Sequence, residues 1–393
     1  MKKVVKELSR YLLYLFKKKN YKVKVANDIA SLYHIRNNHN LEYFFGYYDR
    51  SPEYKGKVLF HEMQPDEESV NIIVKDINAN HESVIANTQA FNWQMGARAI
   101  WIDEDTISYN DFDGNKYVCK WYSLSQGRII KLFNKPLQDY KGGNYYLGVN
   151  YQRLRSYAKE YAYYCLPEMT ETEYDNYKND GIWKVDIATG ENHLLLSIAE
   201  ILKFAHIDRF DKGKHFLNHI MMSPNGSSFI FIHRYYVKGV RYDRLMFYDF
   251  NQLKVLMNER IQSHYCWLDD TNIFGYGEYE GKRSFNAINV KTGVVTKHEK
   301  LTAKHPRDGH PTVFGDWIGI DDYPNLSRMQ PMIAYNYKTK EIKWLGEFYH
   351  DLKHKDYNRC DLHPRFSKDG SRIYLDTIYS GKRELVMLNV KFK

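Results

Sequence analysis

The sequence predicts an all-β fold, a seven-bladed β-propeller with a short N-terminal helical extension, and three observations carry that prediction. A polar turn followed by a β-branched and aromatic strand recurs at intervals of about 45 residues along the chain, the period of a four-stranded propeller blade. Four of these units carry a histidine in the same register, His219, His264, His310 and His363, at spacings of 45, 46 and 53 residues. The 393 residues show no composition break or low-complexity tail that would mark a second domain, and a closed propeller accommodates that length in one array.

The organising stretch is Leu217 to Arg234, a hairpin whose Ser223-Pro224-Asn225-Gly226 turn supplies the backbone angles that a reversal needs. A histidine stands near each open end, His219 on one strand and His233 on the other. The last unit repeats the pattern with His363 four residues before Ser367 and a Ser367-Lys368-Asp369-Gly370 turn. Ser263-His264 and Gly309-His310 begin the two units between them. Working backwards, Arg50 to Gly56, Trp101 to Asp105 and the less regular Tyr140 to Gly143 complete a count of seven.

Residues 1–40 are expected to form the helical extension and residues 41–393 the propeller. Met1 to Tyr21 is amphipathic and lysine-rich, with Lys17-Lys18-Lys19 as its tight basic cluster. Its apolar run Tyr11 to Phe16 is too short to span a bilayer and no secretory cleavage signal follows. The expectation is a cytoplasmic protein whose residues 1–21 pack on the propeller or make peripheral contact with an anionic membrane. The connection from Tyr151 to Asp180 is unusually long for a propeller and is crowded with tyrosine and arginine, which marks it as a functional loop or lid.

Composition narrows the partner. The formal net charge of +9 favours an acidic ligand, while no zinc-finger spacing, phosphate-loop glycine pattern or RNA-binding aromatic motif accompanies it, so nucleic acid is disfavoured. The aromatic share of 16%, including 35 Tyr, suits wedge-shaped packing between blades and also stacking on carbohydrate. The four cysteines are widely separated and form no disulfide framework.

In a propeller the starts of the inner strands gather round one mouth of the channel. The register therefore brings Tyr47, Arg98, His219, His264, His310 and His363 to that mouth, with Lys135 in the least regular unit. Converging neutral imidazoles can hold a metal or move protons near neutral pH. The expected metal set is His264, His310 and His363, with Asp361 two residues from His363 and Cys266 two residues from His264. Mixed imidazole and carboxylate ligation suits Zn²⁺ or Mn²⁺. A stack of hydrogen-bonded histidines plugging the channel is the alternative.

Phe45-Gly46-Tyr47-Tyr48-Asp49-Arg50-Ser51-Pro52, Asn218-His219 through His233-Arg234, Ser263-His264, Asp308-Gly309-His310-Pro311 and Arg359-Cys360-Asp361-Leu362-His363-Pro364-Arg365 together resemble the β-propeller polysaccharide lyases, the oligogalacturonate lyases and ulvan lyases. They span nearly all of the chain after residue 40. The resemblance implies cleavage of a uronic-acid-containing acidic polysaccharide or oligosaccharide by β-elimination, with a divalent metal. One departure is plain: the pectin-type members have histidine where this chain has Asp361.

Such a reaction needs a base for the proton next to the uronate carboxylate, a cation to neutralise the charge that builds there, and an acid for the leaving oxygen. His219 or His233 is the expected base, Arg234, Arg153 or the metal the neutraliser, and Tyr151 the acid. The competing readings are a non-catalytic propeller that binds a glycan or protein, and a glycoside hydrolase or transferase using Asp321, Asp322 or Asp376.

Overall fold

The computed structural model describes residues 14–36, 40–66 and 68–392. Seven antiparallel sheets of four or five strands form the blades of a propeller, each meandering outward from the central channel. Blade 4 shows why these sequences make blades: its strands Lys214–Met222, Phe229–Val237 and Val240–Tyr248 are largely apolar and buried on both faces because neighbouring blades cover each face. Ser223 to Ser228 forms the expected turn, with Gly226 at φ 71° and the Ser223 hydroxyl donating to Asn225. The same construction recurs at Ser367 to Gly370, where Gly370 has φ 72° and Ser367 donates to Asp369.

The ring closes with strands that the sequence reading assigned to a helical extension. Ala30–His34 pairs with Glu384–Val390 and supplies the outer strand of blade 7, while Val23–Val25 adds a fifth strand to blade 6 against Ile342–Tyr349. The helical expectation for residues 1–40 is thus corrected for this part, and the propeller begins well before residue 41. Blade 7 draws only three strands from its own sequence, so its last strand would expose an unpaired edge without this partner. Helix is found at residues 14–17, and the Tyr14 hydroxyl lies 3.1 Å from that of Tyr349 in blade 6. Residues 1–13, which hold most of the proposed membrane-contacting stretch, lie outside the described residues. No helix among those described is long and apolar enough to cross a membrane.

Two features place the site. The long connection of blade 3 runs between strands Tyr145–Val149 and Gly181–Asp186, and contains helix Tyr151–Tyr157, capped by the Asn150 side chain, then the 3-10 turn Lys159–Tyr161. The second feature is a set of β-bulges at the channel mouth. The pairing of inner strands slips between Asn218 and Met221 and between Gln262 and Tyr265, and His219 and His363 take left-handed backbone angles of φ 53° and 46°. An extra residue at these points turns a side chain out of the strand's alternation and toward the channel.

Candidate active site

The bulges at His219 and His264, and the positions of His310 and His363 just before the inner strands Pro311–Phe314 and Arg365–Phe366, gather the four histidines into an arc. Ring centroids are 5.2 Å apart for His219 and His264, 4.0 Å for His264 and His310, and 4.3 Å for His310 and His363. Tyr47 closes the arc, its hydroxyl 3.3 Å from the His219 ring nitrogens and its ring 5.3 Å from that of His363. In blades 2 and 3 the inner positions are held by Arg98, which makes a two-pronged ion pair with the covered side chain of Asp49, and Gln138. Lys135, the sequence candidate for blade 3, lies over the Trp183 ring outside this arc.

His310, Asp361 and His363 form a metal-ready group, with one ligand atom from each lying within 4.8 Å of the others. The orientation of both rings is fixed from behind. His310 Nδ1 lies 3.0 Å from each Asp321 oxygen, and His363 Nδ1 lies 2.7 Å from the Gly46 carbonyl. With Nδ1–H donating, the Nε2 of each ring in its neutral form carries a lone pair, and both Nε2 atoms are buried with no hydrogen-bond partner among the described residues. Donors aimed at one volume and braced by a carboxylate and a carbonyl fit a divalent cation. Burial and neighbouring His310 hold His363 well below the ordinary histidine range. At His310 the same burial is outweighed by Asp321, which raises it. Arg359 holds both Asp361 oxygens at 2.7–2.8 Å and keeps the carboxylate ionised despite its burial.

Two expected ligands are not in this group. His264 turns Nδ1 toward Asp308, at 3.2 Å from Oδ1, and is tied to a carboxylate of its own. Cys266 fails because the bulge at Ser263 and His264 breaks the alternation that would have put both side chains on one face. It packs in an apolar cluster with Phe274 and Phe285 and lines a recess at the turn end of the blades, beside Pro224 and Ser367. Burial pushes its thiol up, away from the thiolate that zinc prefers.

Above the arc opens a cleft of about 710 Å³, lined by His219, His264, Tyr161, Tyr323 and five arginines. Arg234 and Arg241 share Asp243, at 2.7 and 3.0 Å, and Arg307 pairs with Asp322 at 2.8 Å; these carboxylates are buried and the guanidinium groups line the opening. Arg283 and Arg359 complete the set. Burial lowers His264, with Asp308 opposing, and holds His219 well below its usual range, so both are neutral proton acceptors at neutral pH. Tyr161, delivered by the 3-10 turn, sits edge-on to His219 with ring centroids 5.2 Å apart. Burial raises its phenol, which is therefore protonated.

Of the five residues expected to be catalytic, His219 and Arg234 line the cleft and three do not. His233 is fully buried on the opposite face of its strand from Arg234, as strand alternation requires. Its Nδ1 accepts from Arg244 at 3.1 Å and its Nε2 lies 2.9 Å from His215, so both nitrogens are used inside the fold. Tyr151 stacks on Tyr163 at 4.1 Å and donates to Gln138. Arg153 is buried on Asp180, with its guanidinium 4.3 Å from the centre of the Tyr174 ring. The long connection does reach the cleft, through Glu160 and Tyr161 rather than through its first helix.

The carboxylate-catalyst alternative also meets a structural obstacle. Asp321 accepts from the backbone of His310 and His363 besides the His310 ring, and Asp376 accepts from Phe45, Gly46 and Arg365. Both brace the fold. Asp322, pushed up to about 6 by burial, is held by Arg307. The sequence motifs include Asp308 and Arg359 without marking them as site residues, and they contain neither Arg307 nor Tyr323. Asp308 was within reach, two residues before His310.

No protein-family model and no curated protein sequence matches the chain. Among solved structures, an oligogalacturonate lyase in complex with manganese superposes with a TM-score of 0.61 at 14% identity, covering 94% of this chain and 98% of its own. A second oligogalacturonate lyase, from Vibrio parahaemolyticus, gives 0.60 at 14% identity over 95% and 99% of the two chains. The seven-bladed fold of this protein is that of the oligogalacturonate lyases, as its motifs led one to expect.

Proposed function

We propose that the protein is a lyase that cleaves an acidic, uronate-containing oligosaccharide or polysaccharide by β-elimination. The observation that carries this reading is the juxtaposition of an arginine-lined cleft, a neutral histidine oriented by a carboxylate, and the His310, Asp361 and His363 group. The similarity of fold to proteins named as oligogalacturonate lyases supports it.

The roles follow from position. Asp308 accepts from His264 Nδ1–H, which leaves Nε2 as the proton acceptor, and His264 adjoins the metal-ready group at 4.0 Å between ring centroids. His264 takes the proton from the carbon next to the uronate carboxylate. The electron pair forms a carbon–carbon double bond as the bond to the glycosidic oxygen breaks, and the Tyr161 hydroxyl returns a proton to that oxygen. His219 and Tyr47 pack beside these groups and hold the arc in shape. Arg234, Arg241 and Arg283 bind carboxylates along the substrate by charge-assisted hydrogen bonds. His310, Asp361 and His363 would hold Mn²⁺ or Zn²⁺, which when bound stabilises the negative charge that develops on the uronate carboxylate.

The test is a panel of acidic polysaccharides and their oligomers, followed by the ultraviolet absorbance of the unsaturated uronate product. The wild type should generate that absorbance from at least one substrate, and His264→Ala should lose it. Depolymerisation that yields only saturated reducing ends would identify a hydrolase and overturn the proposal.

A further inference from the structure

The 3-10 turn Lys159–Tyr161 meets a second one, Asp356–Asn358, and the two make a ridge beside the cleft. On the far side of the ridge lies a groove of about 540 Å³ lined by Phe91, Trp93, Tyr164 and Tyr357. The same two segments border both depressions: Glu160, Tyr161 and Arg359 face the cleft, while Lys159, Tyr164 and Tyr357 face the groove.

The groove differs from the cleft in chemistry. Among the described residues its lining contains no arginine, and the charged groups there are Lys159 and Glu68, of opposite sign. Its aromatic surface is open to water, with Tyr357 56% and Tyr164 43% exposed. Trp93 is pinned from beneath by Phe44, with ring centroids 5.3 Å apart, and by the Arg383 guanidinium 4.4 Å from its ring centre. Asn92 ties the groove to the active site, since its side-chain amide donates to the Tyr161 carbonyl at 3.0 Å. Rigid aromatic rings with polar neighbours match the C–H face of a pyranose, because they bury area at little entropic cost.

We infer that this groove is a subsite for an uncharged sugar residue of the same glycan whose uronate occupies the arginine-lined cleft. The inference rests on the lyase reading and extends it: the substrate carries uncharged sugars among its uronates and is long enough to cross the ridge. In a chain of uronates alone, the sugar reaching the groove would bring a carboxylate to a place where the one cation among the described residues, Lys159, is 3.4 Å from Glu168. Such a homopolymer is disfavoured.

Tyr357→Ala is the informative variant, since the Tyr357 side chain is exposed and makes no hydrogen bond among the described residues. Loss of one stacking ring should raise KM for mixed oligomers that reach the groove by roughly three- to tenfold, while KM for the shortest cleaved oligomer and kcat stay unchanged. An unchanged KM at every length, or a preference for pure polyuronate, overturns the inference and leaves the lyase reading intact. A second measurement needs no turnover: saturation-transfer NMR with xylotriose, maltotriose and cellotriose. Transfer to sugar ring protons that Tyr357→Ala abolishes supports the subsite even if no lyase activity is found, in which case the lyase reading alone fails. Absence of transfer from all three counts against the subsite.

Discussion

Removing one imidazole from the His310, Asp361 and His363 group tests the candidate metal centre without any knowledge of the substrate. His363→Ala deletes the ring anchored on the Gly46 carbonyl and leaves one imidazole with a carboxylate already shared with Arg359. Hydrogen-bond partners of metal-binding histidines are themselves worth about 10- to 100-fold in affinity. A direct ligand exceeds its own support, so His363→Ala should weaken Mn²⁺ or Zn²⁺ binding by more than about 100-fold. Asp321→Asn should fall in the lower range, about 10- to 100-fold, because the amide oxygen can still accept from His310 but without the charge. The assay is calorimetric titration of chelator-stripped protein with MnCl₂ and ZnCl₂, with circular dichroism to confirm that each variant is folded. The reasoning is refuted if stripped wild-type protein takes up neither ion, or if both variants bind with wild-type stoichiometry and affinity.

Three further outcomes are expected. On a confirmed substrate, His264→Ala should lower kcat by about 10² or more with metal affinity preserved, as loss of a general base does; undiminished turnover would move the base to His219. His233→Ala should cost about 3 kcal/mol of stability by opening a cavity and leaving Nε of the buried Arg244 and Nδ1 of His215 without a partner; urea unfolding measures this, and an unchanged midpoint would contradict the structural role. His354 is raised to about 9 by donating to Asp351 at 2.9 Å and by the Glu42 carboxylate 3.6 Å away, so its contribution to stability is complete below about pH 6.5 and is lost as pH rises through about 9. The stability gap between wild type and His354→Gln, about 1 kcal/mol once solvent screening is allowed for, should therefore close over that window; a gap that widens with pH has the wrong sign.

By itself the sequence determined the blade count, because the information is local. The Ser-Pro-Asn-Gly and Ser-Lys-Asp-Gly turns are set by side-chain hydrogen bonds and by glycine at positive φ, and the strands that follow them by their own patterning. The histidine register was legible for the same reason, since equal units place equal positions at one mouth of the channel. Tertiary structure decided the rest. That Ala30–His34 closes blade 7 depends on pairing with residues some 350 positions away. Two-residue spacing linked His264 to Cys266 and adjacency linked His233 to Arg234, yet a bulge parted the first pair and strand alternation the second. That Tyr161 rather than Tyr151 lines the cleft turned on where a helix and a 3-10 turn lay across the neighbouring blades. Turn and strand propensities act over a few residues, whereas the face a side chain presents to a cavity is set by register shifts and by packing against blades distant in sequence.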